Sequence, residues 1–167
     1  LEETIDEKRG IKKKAVKDEK ELPLSNRHIS KDFIDSDEVR VAIHKRIAQL
    51  NTLVDIDNLK MELEDRFGKL DEDLVIYMYE KVFKKLCAKL GVEKTIKSTT
   101  DVTLVLSIEA SSQINGESLF LYASETNANI KLSYLHDRIH IALLLDKHNK
   151  HYLYRFIEYL SLVTKHL

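Results

Sequence analysis

The residues best suited to chemistry stand together at His136-Asp137-Arg138-Ile139-His140, a run close to the HExxH zinc pattern with aspartate in place of glutamate. Two histidines four apart can share a metal ion on a helix, where they stack on one face. On a strand the same spacing carries them about 13 Å apart. Ile139, Ile141, Leu143 and Leu145 alternate with other residues at the period of a strand. The run therefore reads as the turn and surface histidines of a hairpin. His148, His151 and His166 offer no third ligand at a suitable placement. Tyr152, Phe156 and Tyr159 could stack bases, yet their three- and four-residue spacing puts them on one helical face, as core or interface.

Other catalytic patterns fail on spacing. The four glycines, at 10, 68, 91 and 116, are too far apart for a phosphate loop, a dinucleotide turn or a hydrolase elbow, each of which needs glycines close together. The single cysteine, Cys87, forms neither an internal disulfide nor a CxxC pair, and fits a reducing compartment. The carboxylates Glu62, Glu64, Asp65, Asp71, Glu72 and Asp73 have two readings. They are a solvated face with helix caps, the favoured one, or a docking edge for a basic partner. Clustered acids at helix ends do not by themselves make the cleft that hydrolysis requires. The expectation is a chain with no catalytic, cofactor or metal site.

Three helical patterns precede the candidate strands. Ser36 or Asp37 opens the first, with Val39, Ile43, Ile47 and Leu50 on one face. Asp55 or Asp57 opens the second, carrying Leu59, Leu63 and Phe67, with Gly68 where a left-handed cap is usual. Asp71 opens the third, whose wide stripe runs through Leu74, Val75, Met78, Val82, Phe83, Leu86 and Leu90 to Gly91. Alternation then takes over at Val102, Leu104, Leu106 and Ile108, with 92–97 as a pairing strand. A helix from Asn115-Gly116-Glu117, two strands around a turn at His136-Asp137, and an amphipathic helix from Tyr152 to Val163 complete the order. The fold class is α+β: three helices, then a ββαββα unit, giving a small antiparallel or mixed sheet covered by helices.

The first 20 residues differ in kind. Lys8 to Lys17 is rich in lysine and lacks apolar periodicity, so it reads as a tether, and Pro23 holds an extended lead-in to the folded part. The division is 1–20, linker, and 21–167, folded domain. The whole chain of 167 residues has a net charge of −1, which removes any global electrostatic case for nucleic acid or membrane. Lys12, Lys13 and Lys14 are the local exception, able to touch DNA phosphates. No stretch approaches the roughly 20 apolar residues of a membrane span, and no apolar signal block opens the chain. A soluble, cytoplasmic protein is expected.

At the first helix pair a family enters. Ile43-His44-Lys45-Arg46-Ile47, then Leu63-Glu64-Asp65-Arg66-Phe67-Gly68, then Leu90-Gly91-Val92 resemble, in order, the motifs of the C-terminal domain of bacterial transcription-repair coupling factors. Ile29-Ser30-Lys31-Asp32-Phe33-Ile34 is similar to the segment leading into that domain, and Leu1-Glu2-Glu3-Thr4-Ile5 to the end of the preceding translocase module. The sequence departs from the pattern at His44, where tyrosine is usual, at Ser30-Lys31, where proline-aspartate is common, and at Asp71, which replaces a proline. The likeness is carried by residues 20 to 90 and continues beyond them only in length and element order.

This resemblance implies a regulatory role. Family members displace stalled RNA polymerase from damaged double-stranded DNA and recruit the excision-repair protein UvrA, using an ATPase motor that takes ATP and magnesium. Their C-terminal domain is a clamp on the N-terminal UvrA-docking module, masking it and restraining the motor. Glu62, Glu64, Asp65, Asp71, Glu72 and Asp73 are then candidates for the docking edge, and a DNA-contacting accessory domain using Lys12, Lys13 and Lys14 is the alternative.

Overall fold

The computed structural model describes residues 20–21, 29–147 and 150–167. The tether with Lys12, Lys13 and Lys14, the segment Leu1–Ile5, Pro23 and His148 lie outside them. Among the described residues six helices pack with a five-stranded sheet.

Helix α1 (Asp37–Ala48) starts at Ser36, whose hydroxyl accepts a hydrogen bond from the Val39 amide. Its first turn carries Asp37 and Glu38 and its last Lys45 and Arg46, charges that oppose the helix dipole. Helix α2 (Leu53–Phe67) begins earlier than the Asp55 or Asp57 expected of it. Thr52 caps it by accepting from the Asp55 amide, while the Asp55 carboxylate accepts from the Thr52 amide at 3.1 Å. This reciprocal box satisfies two donors at once and outcompetes a later start. Gly68 ends α2 at φ 87° and ψ −168°, an extended glycine conformation and not the left-handed cap expected.

Helix α3 (Glu72–Leu90) buries Leu74, Tyr77, Met78, Val82, Phe83, Leu86, Cys87 and Leu90, as its wide stripe requires. Gly91 ends it in the left-handed conformation, at φ 87° and ψ 31°. Lys85 on α3 braces the end of α1, donating to the carbonyls of Ala48 and Leu50 at 2.7 Å each and to Asn51 Oδ1 at 3.0 Å. Lys85→Met keeps the aliphatic stem but removes the ammonium from the negative end of the α1 dipole. It should lower stability by about 1–2 kcal/mol, read as a shift of the urea midpoint at unchanged slope.

Strand β1 (Lys20–Glu21) pairs with β2 (Val92–Lys97), which forms a hairpin with β3 (Asp101–Leu106). Helices α4 (Ile108–Gln113) and α5 (Gly116–Glu125) follow, then β4 (Ile130–Leu135), β5 (Arg138–Leu144) and α6 (Tyr152–Lys165). The strand order is β1-β2-β3-β5-β4, and every neighbouring pair is antiparallel. The second half is therefore ββααββα. Helix α4 was not expected, and Ile108 belongs to it rather than to β3. Ser107 turns the chain by accepting from the Ala110 amide at 3.1 Å, and Ile108 is left 51% exposed.

One face of the sheet, with Val102, Leu104, Leu106, Ile139, Ile141 and Leu143, is buried and joins the helices in one core. Helix α6 packs chiefly on α3, where Phe156 meets Phe83 at 5.6 Å between ring centroids. Tyr159, fully buried, donates from its hydroxyl to the Leu119 carbonyl at 3.0 Å and ties α6 to α5. The buried Ser111 hydroxyl accepts from the Ile139 amide at 2.8 Å and fixes α4 against β5.

Candidate functional site

Helical geometry distributes the six acidic candidates instead of gathering them. All six are exposed. Glu62 projects from α2 toward α1, where the Arg46 guanidinium donates to both its carboxylate oxygens, with Nη2 to Oε1 at 3.0 Å. That hydrogen bond holds the Glu62 carboxyl below the usual carboxylate range and raises Arg46. The pair closes a groove of about 290 Å³ floored by Val39, Ala42, Ile43 and Leu63 and rimmed by Glu38 and Arg66. Glu72 lines a different hollow of about 380 Å³, beside Val75, Ile76, Tyr79 and Tyr154. Glu64 and Asp65 stand on the outer surface of α2, and Asp71 and Asp73 at the start of α3. Asp71 is the N-cap residue of α3, but its side chain makes no capping bond.

The histidines have local roles. His136 and Asp137 form the two-residue turn between β4 and β5, at φ 54° and 64°, values that match the twist of a tight hairpin. His140 lies on β5 with Nδ1 3.2 Å from the Arg138 carbonyl oxygen. His151 caps α6 by accepting from the Leu153 amide at 3.1 Å, and His166 stacks on Tyr122 with ring centroids 5.2 Å apart. Among the described residues no three His, Cys, Asp or Glu side chains are grouped so as to hold a metal.

The aromatic trio divides in the same way. Phe156 and Tyr159 are fully buried, whereas Tyr152 is half-buried under the Lys97 ammonium, 5.1 Å from its ring centre. Sequence spacing could not have found the partners Arg46 for Glu62 or Lys97 for Tyr152, because both contacts are made between separate elements. A larger cavity of about 550 Å³ between the ends of α3 and α6 and the helices α4 and α5 was also invisible in the sequence.

Cys87 is buried on α3, and burial pushes its thiol up to about 12. Burial thus disfavours the thiolate, which is the reactive form, and shields the sulfur from reagent. The native protein should be inert to Ellman's reagent and react fully in urea. Fast labelling of folded protein would contradict the burial.

Fold and surface define one class: an α+β domain that presents charged helix faces to solvent. No helix among the described residues is long and apolar enough to cross a membrane. The TRCF domain family matches residues 25–118. The transcription-repair-coupling factor of Staphylococcus haemolyticus is 30% identical over 152 residues, covering 88% of this chain and 13% of that protein. The factor of Bacillus subtilis is 28% identical over 134 residues, 79% of this chain and 11% of its own length. A crystal structure of the C-terminal domain of transcription-repair coupling factor shares the fold, with a TM-score of 0.68 at 17% identity over 90% of this chain and 98% of that one. The chain belongs to the TRCF domain family, the C-terminal domain of transcription-repair coupling factors. It spans about an eighth of the length of these curated relatives.

Proposed function

We propose that this domain is the autoinhibitory clamp of a cytoplasmic transcription-repair coupling factor, holding an N-terminal UvrA-docking module masked and restraining the DNA translocase ATPase. Family membership carries this reading. It is supported by the surface: acidic side chains outnumber basic ones between residues 32 and 73, and Glu64, Asp65, Asp71, Glu72 and Asp73 are exposed. A basic docking module would meet an acidic edge that costs little to desolvate at its rim.

The mechanism is a two-state equilibrium. The domain shifts it only by binding the closed form better than the open form, and tethering within one chain raises the effective concentration enough for a modest interface to suffice. By reciprocity, an event that opens the clamp, such as engagement of RNA polymerase, lowers its affinity for the module and frees the UvrA surface. ATP and magnesium serve the motor of the parent protein, and UvrA, RNA polymerase and double-stranded DNA are its partners.

The test is binding of the 167-residue chain to the isolated docking module, with UvrA as competitor and duplex DNA as a parallel ligand. Binding that UvrA displaces supports the clamp. The double substitutions Glu64→Lys/Asp65→Lys and Glu72→Lys/Asp73→Lys separate the α2 surface from the start of α3, and the one in contact should weaken binding by about tenfold or more at low salt. Absence of module binding, with salt-dependent DNA binding lost when residues 1–19 are removed, would replace the clamp by the DNA-contacting reading through Lys12, Lys13 and Lys14.

A further inference from the structure

Strand β4 is one of the two edges of the sheet, and among the described residues no strand pairs with its outer side. The Leu144 amide donates to the Asn129 carbonyl at 3.0 Å, and the register pairs Ile130 with Leu143. Bonded pairs recur at every second position of an antiparallel ladder, so Lys131, Ser133 and Leu135 exchange the bonds to β5. Ile130, Leu132 and Tyr134 therefore direct their amides and carbonyls away from it. The Ile130 amide is bonded to the Ala128 carbonyl at 3.0 Å. The edge thus offers the backbone groups of Leu132 and Tyr134, spaced for one added strand.

Three features set this edge apart. Natural sheets protect an edge with a bulge, a proline or charge. The β4–β5 register is unbroken, and β4 holds no proline and one charge, Lys131. The residues with free edge groups also face an apolar hollow of about 480 Å³, lined by Ile114, Leu119, Phe120, Leu132, Tyr134 and Ile139. Phe120 and Tyr134 are 61% and 60% exposed there, large apolar surfaces that the fold leaves in water.

We propose that this edge receives an extended segment of another polypeptide, which adds as a sixth strand, sends apolar side chains at alternate positions into the hollow and sets a carboxylate against Lys131. Only a strand matches two residues of outward backbone donors and acceptors in line. Alternation sends every second side chain of that strand to the hollow and the intervening ones to the opposite face, where Lys131 stands. A second copy fits less well, since its own β4, Ile-Lys-Leu-Ser-Tyr-Leu, supplies lysine and no acid. The site is separate from the acidic helices of the proposed clamp.

The probe is the blocked peptide acetyl-Thr-Val-Glu-Val-Thr-Val-amide, titrated into the isotope-labelled 167-residue chain and followed by amide hydrogen exchange and NMR shifts. At saturation the Leu132 and Tyr134 amides should exchange about tenfold more slowly, with Ser133, already bonded to β5, little changed. Replacing the glutamate of the peptide by lysine should weaken binding about threefold at low salt, and Lys131→Glu should reverse that preference. Tyr134→Pro removes one outward donor without touching the ladder to β5, and should abolish binding while circular dichroism stays native. Lack of protection at Leu132 and Tyr134 up to millimolar peptide would overturn the proposal. So would protection that arises with chain concentration alone and tracks a dimer mass in sedimentation, which would make the edge a self-interface.

Discussion

Phe156→Ala should destabilise the domain by about 3–5 kcal/mol, enough to lower its melting temperature by roughly 10 °C or more. Phe156 is fully buried on α6, 5.6 Å from Phe83 of α3 and 6.5 Å from Tyr159 between ring centroids. Truncation removes the transfer energy of a phenyl ring and leaves a cavity between side chains that are themselves held. Tyr159 is bonded to the Leu119 carbonyl, and Phe83 lies within the α3 stripe, so the site cannot collapse inexpensively. Because α3 touches α1, α2 and β2 as well as α6, loss at this contact should unfold helices and sheet together. Far-ultraviolet ellipticity and tyrosine fluorescence should therefore give one coincident urea transition at a lower midpoint. Phe120→Ala is the control: at 61% exposure it should change stability by less than about 0.5 kcal/mol. Equal effects at the two positions would mean that α6 does not pack on α3 as described.

These two phenylalanines also show what was legible in the sequence. Periodicity identifies an apolar face: it reads Tyr152, Phe156 and Tyr159 together as core or interface, and of these Phe156 and Tyr159 are fully buried while Tyr152 is half-buried. On α5 the run Leu119, Phe120, Leu121, Tyr122 and Ala123 is apolar throughout, although only Leu119 and Ala123 are buried. A short helix has a face set by what it lies against, and no pattern internal to α5 says which residue stays out. Helix α4 was hidden for a related reason. Ile108 continues the alternation of Leu104 and Leu106, so period two extends two residues past the strand, and only the Ser107 cap breaks it.

The candidate site divided along the same line. Residue types named the acids, but whether Glu62 is a free docking group or the partner of Arg46 depends on how α1 lies beside α2. Gly68 then decides how α3 departs from α2. Its extended positive-φ conformation, unlike an ordinary left-handed cap, is not encoded in the glycine itself. The turn keeps Glu62 and Glu72 in different grooves, so two acidic runs that are neighbours in sequence do not share one groove.

Gly91→Ala should be the more damaging of two glycine substitutions that look equivalent. Gly68 and Gly91 share φ 87°, and a Cβ at Gly68 would have nothing within 4 Å, so Gly68→Ala incurs the backbone cost alone. A Cβ at Gly91 would stand 2.6 Å from the Ala110 Cβ. Ala110 cannot retreat easily, because its amide is bonded to the Ser107 hydroxyl and the Ser107 amide to the Gly91 carbonyl at 2.9 Å. The end of α3 and the start of α4 thus close on one another around this glycine. Left-handed strain of about 1–2 kcal/mol adds to overpacking of about 1–3 kcal/mol, for a total of about 2–5 kcal/mol. The two parts separate in a double-mutant cycle. Ala110→Gly should relieve the overlap and leave the strain, giving a coupling of about 1–3 kcal/mol in urea denaturation, whereas the same partner substitution should show none with Gly68→Ala. Zero coupling at Gly91 would remove the packing explanation and leave only its backbone conformation.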